Sequence, residues 1–228
     1  VVTNHPAAGG SHLPDVTVIA AAFDASGKRI GYVANRAHHA EIGGMAPGSM
    51  PASARNLAQE GVVIPPMKWI QNGIPDTGAL ESLLRDSPYP SRRPEENLAD
   101  LEAQAASIAH GIRTLESLAS EHGGDIVRGE MNGILDRSAC LMKALLSRFD
   151  RKRSHRAETL DDGTPIEVEI TITDGRITID FTGTGPVHPR NLNATPAIVR
   201  SVLLYVLRLW LDEDIPLNEG LLESAEVI

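Results

Sequence analysis

Residues 16–35 read as a β-hairpin, and everything near the start of the chain has to be arranged around it. Val16 to Phe23 is an apolar run with several β-branched residues. Asp24-Ala-Ser-Gly-Lys28 is turn chemistry, and Arg29 to Asn35 is a second extended run. Folded about Ser26, the hairpin sets position 15 opposite position 37. Its open end then gathers His12, Asp15 and the His38/His39 pair. Two imidazoles and a carboxylate at the mouth of a rigid hairpin suit a catalytic divalent metal, because they leave positions for water and substrate. Any one of these residues alone reads more readily as a loop or cap residue than as a ligand. The glycine pairs Gly9-Gly10 and Gly43-Gly44 favour close backbone approach to a centre, although glycines also mark ordinary turns.

Composition narrows the function classes. The net charge of −9 speaks against a nucleic-acid surface. The single cysteine, Cys140, excludes an internal disulfide framework and fits a reducing cytoplasm; its expected place is a helix core. The start Val1-Val2-Thr3-Asn4 has neither the basic nor the apolar region of a signal peptide. The longest apolar stretch, Ala197 to Leu211, carries Arg200 and Arg208 and is too short to span a bilayer. The expectation is therefore a cytoplasmic protein with no membrane and no nucleic acid among its partners. No phosphate-binding loop or dinucleotide fingerprint occurs, and Ser49 lacks the glycine-flanked elbow of a serine hydrolase.

Beyond the hairpin, residues 43–54 read as a pocket wall or a plain surface loop. Val62 to Ile64 reads as a strand and residues 79–86 as a short helix. Pro94 opens a long helix with Leu98, Leu101, Ala105, Ile108, Ile112, Leu115 and Ala119 at three- and four-residue spacing; Gly123-Gly124 ends it. A second helix puts Val127, Met131, Ile134, Ser138, Leu141 and Leu145 on one face. The two together read as an antiparallel helical hairpin over 94–149, with His110 and His122 on its surface. Arg148 to Arg156 reads as a solvated, basic helix end. Ile166, Val168, Ile170 and Ile172 alternate with polar residues, Asp174-Gly175 signals a type I′ turn, and Arg176 to Phe181 returns as the second strand of another hairpin. Pro196 opens a helix, capped by Thr195, that is apolar on nearly every side. It is expected to be buried within the domain or against another subunit.

Several separated blocks carry a resemblance. They are Asn4-His5-Pro6-Ala7-Ala8-Gly9-Gly10-Ser11-His12-Leu13-Pro14-Asp15-Val16-Thr17, then Asn35 to Gly44, Pro47-Gly48-Ser49-Met50-Pro51 and Gln59-Glu60-Gly61. Asp180-Phe181-Thr182-Gly183-Thr184, Asn191-Leu192-Asn193 and Asp214 to Gly220 complete them. Together they resemble the hydantoinase B/5-oxoprolinase family, which includes the large subunits of acetone and acetophenone carboxylases. His5, Ala7, Glu41 and the stretch Asp150 to Arg156 depart from that family's pattern. Its members are also much longer, so the chain resembles a partial-length relative.

The combined expectation is an α+β protein. Residues 1–228 form a partial hydantoinase B/oxoprolinase-type domain, with the helical hairpin inserted between the metal-site hairpin and the second β-hairpin. His12, Asp15 and His38 are assigned as ligands of a divalent Zn, Mn or Fe. His39 is an alternate ligand or a base behind the ligands, and Glu60 and Asp180 are further catalytic candidates. The resemblance implies a B-type subunit of an ATP-dependent hydrolase that opens a hydantoin or a 5-oxoproline-like lactam. ATP would be used on a partner A-type ATPase subunit, within an oligomer. The alternatives are a subunit of an ATP-dependent ketone carboxylase, and a non-catalytic interaction module or inactive fragment.

Overall fold

The computed structural model describes residues 1–228 and is α+β, with antiparallel sheets and long helices. The chain divides into two compact units. One comprises Val1–Arg128 with Pro189–Ile198; the other comprises Gly129–His188 with Val199–Ile228.

The first unit is built on an antiparallel sheet of β1 (Val2–Thr3), β2 (Asp15–Phe23) and β3 (Arg29–His38), in that order. Asp24 shapes the β2–β3 turn, because its carboxylate accepts from the backbone N–H of Ser26 and of Lys28, both at 3.0 Å. The register slips by one residue between Ala22 and Phe23, a β-bulge. Phe23 pairs with Arg29, but from Ala22 inward the partners shift, and Asp15 pairs with His38 rather than with Ala37.

The expected strand at 62–64 is not one. Val62 donates to Ile42 O at 2.7 Å, and the buried side chain of Asn4 takes the place of a ladder. Its Nδ2 donates to Leu13 O and Val62 O at 2.8 and 2.9 Å, and its Oδ1 accepts from Ile64 N at 2.7 Å. One turn of helix, α1 (Leu57–Glu60), precedes this segment. A small hairpin, β4 (Ile70–Gln71) with β5 (Ile74–Pro75), follows it. Its turn is Asn72-Gly73, both at positive φ, a dipeptide that signals a hairpin by its conformational freedom. Asp76 caps α2 (Thr77–Asp86), its Oδ1 accepting from Ala79 N at 3.1 Å. The long helix α3 (Pro94–His122) opens on Pro94 with Glu95 and Glu96 in its first turn, and it packs on β2 and β3. Leu101 and Ile108 of α3 join Val16, Val18, Ile42, Ile64, Leu80 and Leu84 in one core.

The second unit holds most of α4 (Gly124–Ser147) and a four-stranded sheet. The strands are β6 (Lys152–Thr159), β7 (Pro165–Thr173), β8 (Arg176–Asp180) and β9 (Ala225–Val227), in that order. β9 runs parallel to β8. The Asp174-Gly175 turn has both residues at positive φ, as a type I′ turn requires. Ile170 pairs with Ile179 and Ile172 with Ile177, and these face Met142 and Leu146 of α4 in the second core. The two long helices therefore follow each other in sequence but divide their packing, α3 serving the first core and α4 the second.

Two further expectations need correction. First, the basic stretch 148–156 is not a helix end. Arg151 turns the chain at φ 58°, and β6 follows as a fully exposed edge strand whose charges meet carboxylates on β7. Arg153 contacts Glu169 at 2.6 Å and His155 contacts Glu167 at 3.2 Å. Charges on an edge strand discourage pairing with another chain. Second, Cys140 is exposed on α4. Of the two expectations for α5 (Pro196–Leu211), burial within the domain holds along one stripe only, at Leu207 and Leu211; Val202, Tyr205, Val206 and Leu209 lie open, which leaves the expectation of burial against another subunit standing. No helix is long and apolar enough to cross a membrane.

One ion pair of the second unit yields a pH prediction. His188 is buried, and its Nε2 stands 2.6 Å from Asp162 Oδ2. The imidazole contact, together with the backbone N–H of Thr164, holds the Asp162 carboxyl far below the usual carboxylate range. A folded pKa below the unfolded value, about 3.9 for Asp, adds stability above that value and loses it as pH falls. Asp162→Asn is therefore expected to lower the melting temperature at pH 6, with the gap to wild type narrowing as pH falls from about 5 towards 2. Parallel thermal melts across that range check it; a gap independent of pH would show that the carboxylate charge contributes nothing.

Candidate metal centre

The bulge in the β2–β3 hairpin decides which histidine faces Asp15. Side chains directly opposite each other in an antiparallel pair share a face, and a one-residue slip would reverse the faces. With Asp15 opposite His38, those two side chains meet and His39 is turned inward. His38 Nδ1 lies 3.0 Å from Asp15 Oδ1.

His12 comes from the turn before β2. That turn is held on several sides. Asp15 N donates to His12 O at 3.0 Å, His39 N donates to Pro14 O at 2.8 Å, and Arg36 reaches Gly9 O at 2.9 Å. His12 Nε2 stands 2.7 Å from Asp15 Oδ2, and its other ring nitrogen faces Met50 Sδ at 2.8 Å. The two imidazole rings are 5.0 Å apart, tilted by 56°. One ligand atom from each of His12, Asp15 and His38 falls within 4.8 Å of the others.

The electrostatics suit a cation. Burial pushes the Asp15 carboxyl up, but the Ser11 hydroxyl at 2.5 Å, the hydrogen bond to His38 and the charges of both imidazoles outweigh it; the net pKa is below the ordinary carboxylate value. Asp15 is the least exposed of the three at 18%, with His12 at 39% and His38 at 49%, so the carboxylate is held at the floor and the imidazoles stand at an open mouth. Two imidazole nitrogens and one anionic oxygen, convergent and open on one side, match the donor set of a catalytic divalent metal.

The other expected site residues are placed differently. His39 has no exposed surface, and both its ring nitrogens are engaged by side chains of α3, Asn97 at 3.0 Å and Gln104 at 3.3 Å. Burial disfavours its charged form and lowers its pKa. It does not stand among the three clustered residues. Glu60 ends α1 as a half-buried carboxylate, and burial raises its pKa. A Cβ added at Gly61, the next residue, would meet Ile42 at 3.1 Å and Leu13, the neighbour of His12, at 3.5 Å. Asp180 belongs to the second unit; the hydrogen bond from Thr182 lowers its pKa, and Thr182 N donates to it at 2.8 Å.

The loop 43–54 is anchored rather than loose. Ser49 is buried, accepting from Ile42 N at 2.8 Å and donating to Gly43 O at 2.5 Å, so its hydroxyl is committed to the backbone. Arg92 donates to Gly44 O at 2.8 Å and to Glu41 at 2.9 Å. Burial raises the Glu41 pKa, but Ser91 and Arg92 lower it further, leaving it below its usual value. Sequence reasoning missed Arg92, Asn97 and Gln104. Asn97 and Gln104 share the α3 stripe of Leu101 and Ile108 at four- and three-residue spacing, and two amides on an apolar stripe were the signal to follow.

The sequence profile of the hydantoinase B/oxoprolinase description matches residues 1–228. The chain belongs to the hydantoinase B/oxoprolinase family. It is 38% identical over 239 residues to the 5-oxoprolinase of Saccharomyces cerevisiae, a match that covers 100% of this chain and 19% of that protein. The chain thus spans about a fifth of the length of that relative. Among solved structures, the ATP-dependent caprolactamase from Pseudomonas jessenii superimposes with a TM-score of 0.86 at 24% identity, over 100% of this chain and 39% of that one. A nucleotide-free acetone carboxylase superimposes with a TM-score of 0.83 at 18% identity, over 99% of this chain and 32% of that one. At those identities the two structures speak to a shared fold.

Proposed function

We propose that this chain is the metal-bearing portion of the B-type component of an ATP-dependent hydrolase that opens a hydantoin or a 5-oxoproline-like lactam. The observation that carries the reading is the convergence of His12, Asp15 and His38 at one open hairpin mouth. The likeness to a 5-oxoprolinase favours hydrolysis over ketone carboxylation, because the likeness to acetone carboxylase reaches only the fold.

A lactam carbonyl is a poor electrophile, so activation by ATP is useful. On a partner A-type component, the lactam oxygen would take the γ-phosphoryl group and release ADP. Water then adds to the activated carbon, the ring C–N bond opens as the nitrogen takes up a proton, and the acyl phosphate left behind is hydrolysed by a second water to a carboxylate and phosphate. His12, Asp15 and His38 would hold a Zn, Mn or Fe ion that supplies Lewis-acid polarisation of an oxygen and a lowered water pKa. Asp15 stands within 3.0 Å of a ring nitrogen of each imidazole, so the three donors already converge where the ion would sit. Glu60, with a pKa raised by burial, is suited to take the proton from the attacking water and hand it to the leaving nitrogen.

Elemental analysis of the chain is expected to find near-stoichiometric Zn, Mn or Fe, and His12→Ala is expected to remove it. Mixed with an A-type ATPase component and carried within the remaining B-type segments, the chain is expected to support 5-oxoproline consumption matched by ADP release. Alone, it is expected to release none. Equal metal in wild type and variant would overturn the centre, and robust ATP turnover by the pure chain would overturn the division of labour.

A further inference from the structure

We infer that Asn97 and Gln104 of α3 are positioning residues for the metal centre, acting through the buried imidazole of His39. The inference rests on the metal reading above and extends it to residues that no ligand set includes.

The orientation of both amides follows from their partners. Asn97 Nδ2 donates to Glu41 O at 2.8 Å, and Gln104 Nε2 donates to Val16 O at 2.9 Å. Backbone carbonyls only accept, so these amide nitrogens are identified. Asn97 Nδ2 therefore donates to His39 Nδ1 at 3.0 Å, and His39 Nε2–H donates to Gln104 Oε1 at 3.3 Å. His39 is held as a single neutral tautomer between two amides.

The consequence for the centre lies in the neighbours. Gln104 grips Val16, the residue after Asp15, and His39, the residue after His38. Its Nε2 also meets Asn35 Oδ1 at 3.0 Å, and its backbone oxygen accepts from Asn35 Nδ2 at 2.9 Å. One side chain on a rigid helix thus ties down both strands, each one residue from a ligand. The backbone of His39 adds a third tie, to Pro14 O at 2.8 Å, inside the turn that carries His12. Rotation of His39 would turn His38 away from Asp15, and the two amides prevent it. Leu101 and Ile108 fill the same helix stripe with apolar contacts, and buried amides cost more than apolar residues unless fully bonded, so packing alone does not account for them.

The test measures Zn2+ affinity by competition with a chromophoric chelator, alongside the melting temperature of the metal-free chain. Gln104→Met keeps the volume and removes every side-chain polar contact, leaving only the bond from Asn35 to its backbone oxygen. Asn97→Asp keeps the shape and removes the donor to His39. Leu101→Ala is the control, a core truncation on the same stripe with the amides intact. Gln104→Met and Asn97→Asp are expected to weaken Zn2+ binding by about 10- to 100-fold with all three ligands present. Leu101→Ala is expected to lower the melting temperature while changing affinity less than about 3-fold. If Gln104→Met does not fold, Asn97→Asp decides. Wild-type affinity in the amide variants, or an equal loss in Leu101→Ala, overturns the positioning role while leaving the centre standing. A wild-type chain that binds no Zn2+, Mn2+ or Fe2+ overturns the centre and this inference with it.

Discussion

Asp15→Ala is expected to empty the metal centre while leaving the fold intact. Asp15 is the one anionic donor and the one residue in contact with both imidazoles, so its loss removes charge and orientation together. Removing a residue that only supports a ligand costs about 10- to 100-fold in affinity, and removing a ligand is expected to exceed about 100-fold. Bound metal should fall from near one per chain to a trace. Stability should change little, by about 1 kcal/mol or less, because Asp15 makes partly exposed ion pairs at a strand end and contributes nothing to the apolar core. Asp15→Asn separates charge from shape, since it keeps the size at the first position of β2 and loses the anion. It should also fail to hold metal. Inductively coupled plasma analysis with thermal melts of both variants is the measurement. Full metal content in Asp15→Ala, or collapse of the fold in Asp15→Asn, would show that the cluster is a structural feature of the hairpin mouth.

The hairpin that makes this centre was legible from residue type, while its register was not. β-Branched runs and an Asp-Ala-Ser-Gly turn identify two paired strands, yet a bulge at Ala22/Phe23 inserts one residue that no composition rule announces. That residue decides between His38 and His39, since a shift of one exchanges the faces. A similar limit explains β6. Its basic residues read as a solvated helix end by charge alone, whereas Arg153 and His155 meet the carboxylates of Glu169 and Glu167 on a strand that only the folded sheet brings alongside. Periodicity found α3 but counted only its apolar members. Asn97 and Gln104 hold the same stripe, and their worth lies in contacts to β2 and to the end of β3, which are distant in sequence. The α5 helix shows the converse. Its apolar faces were plain, but the sequence could not say that only Leu207 and Leu211 would be buried within this chain.

Gly44→Ala is expected to be far more damaging than Gly48→Ala, although the two glycines share a backbone conformation. Both glycines sit in the left-handed region, at φ 86° and 80°, where an L side chain costs about 1–2 kcal/mol. A Cβ at Gly48 would meet nothing within 4 Å, so that strain is its whole cost. A Cβ at Gly44 would lie 2.4 Å from Glu60 O and 2.7 Å from its carbonyl carbon. Neither side can yield easily. Gly44 N donates to Tyr89 O at 3.0 Å, Gly44 O accepts from Arg92 at 2.8 Å, and Met45 N donates to Gln59 O at 2.8 Å. Backbone displaced against such ties adds about 1–3 kcal/mol, as overpacking does in cores. Gly44→Ala should therefore cost about 2–5 kcal/mol in denaturant unfolding, against about 1–2 for Gly48→Ala. The displaced carbonyl is that of Glu60, so the same variant moves the half-buried carboxylate assigned to proton transfer. In the coupled assay, Gly44→Ala is expected to lose turnover while its metal content stays at wild type, because His12, Asp15 and His38 are untouched. Gly48→Ala is expected to keep both. Equal destabilisation by the two substitutions would mean that the loop gives way freely at Gly44, and Glu60 would then lack the fixed placement its proton-transfer role requires.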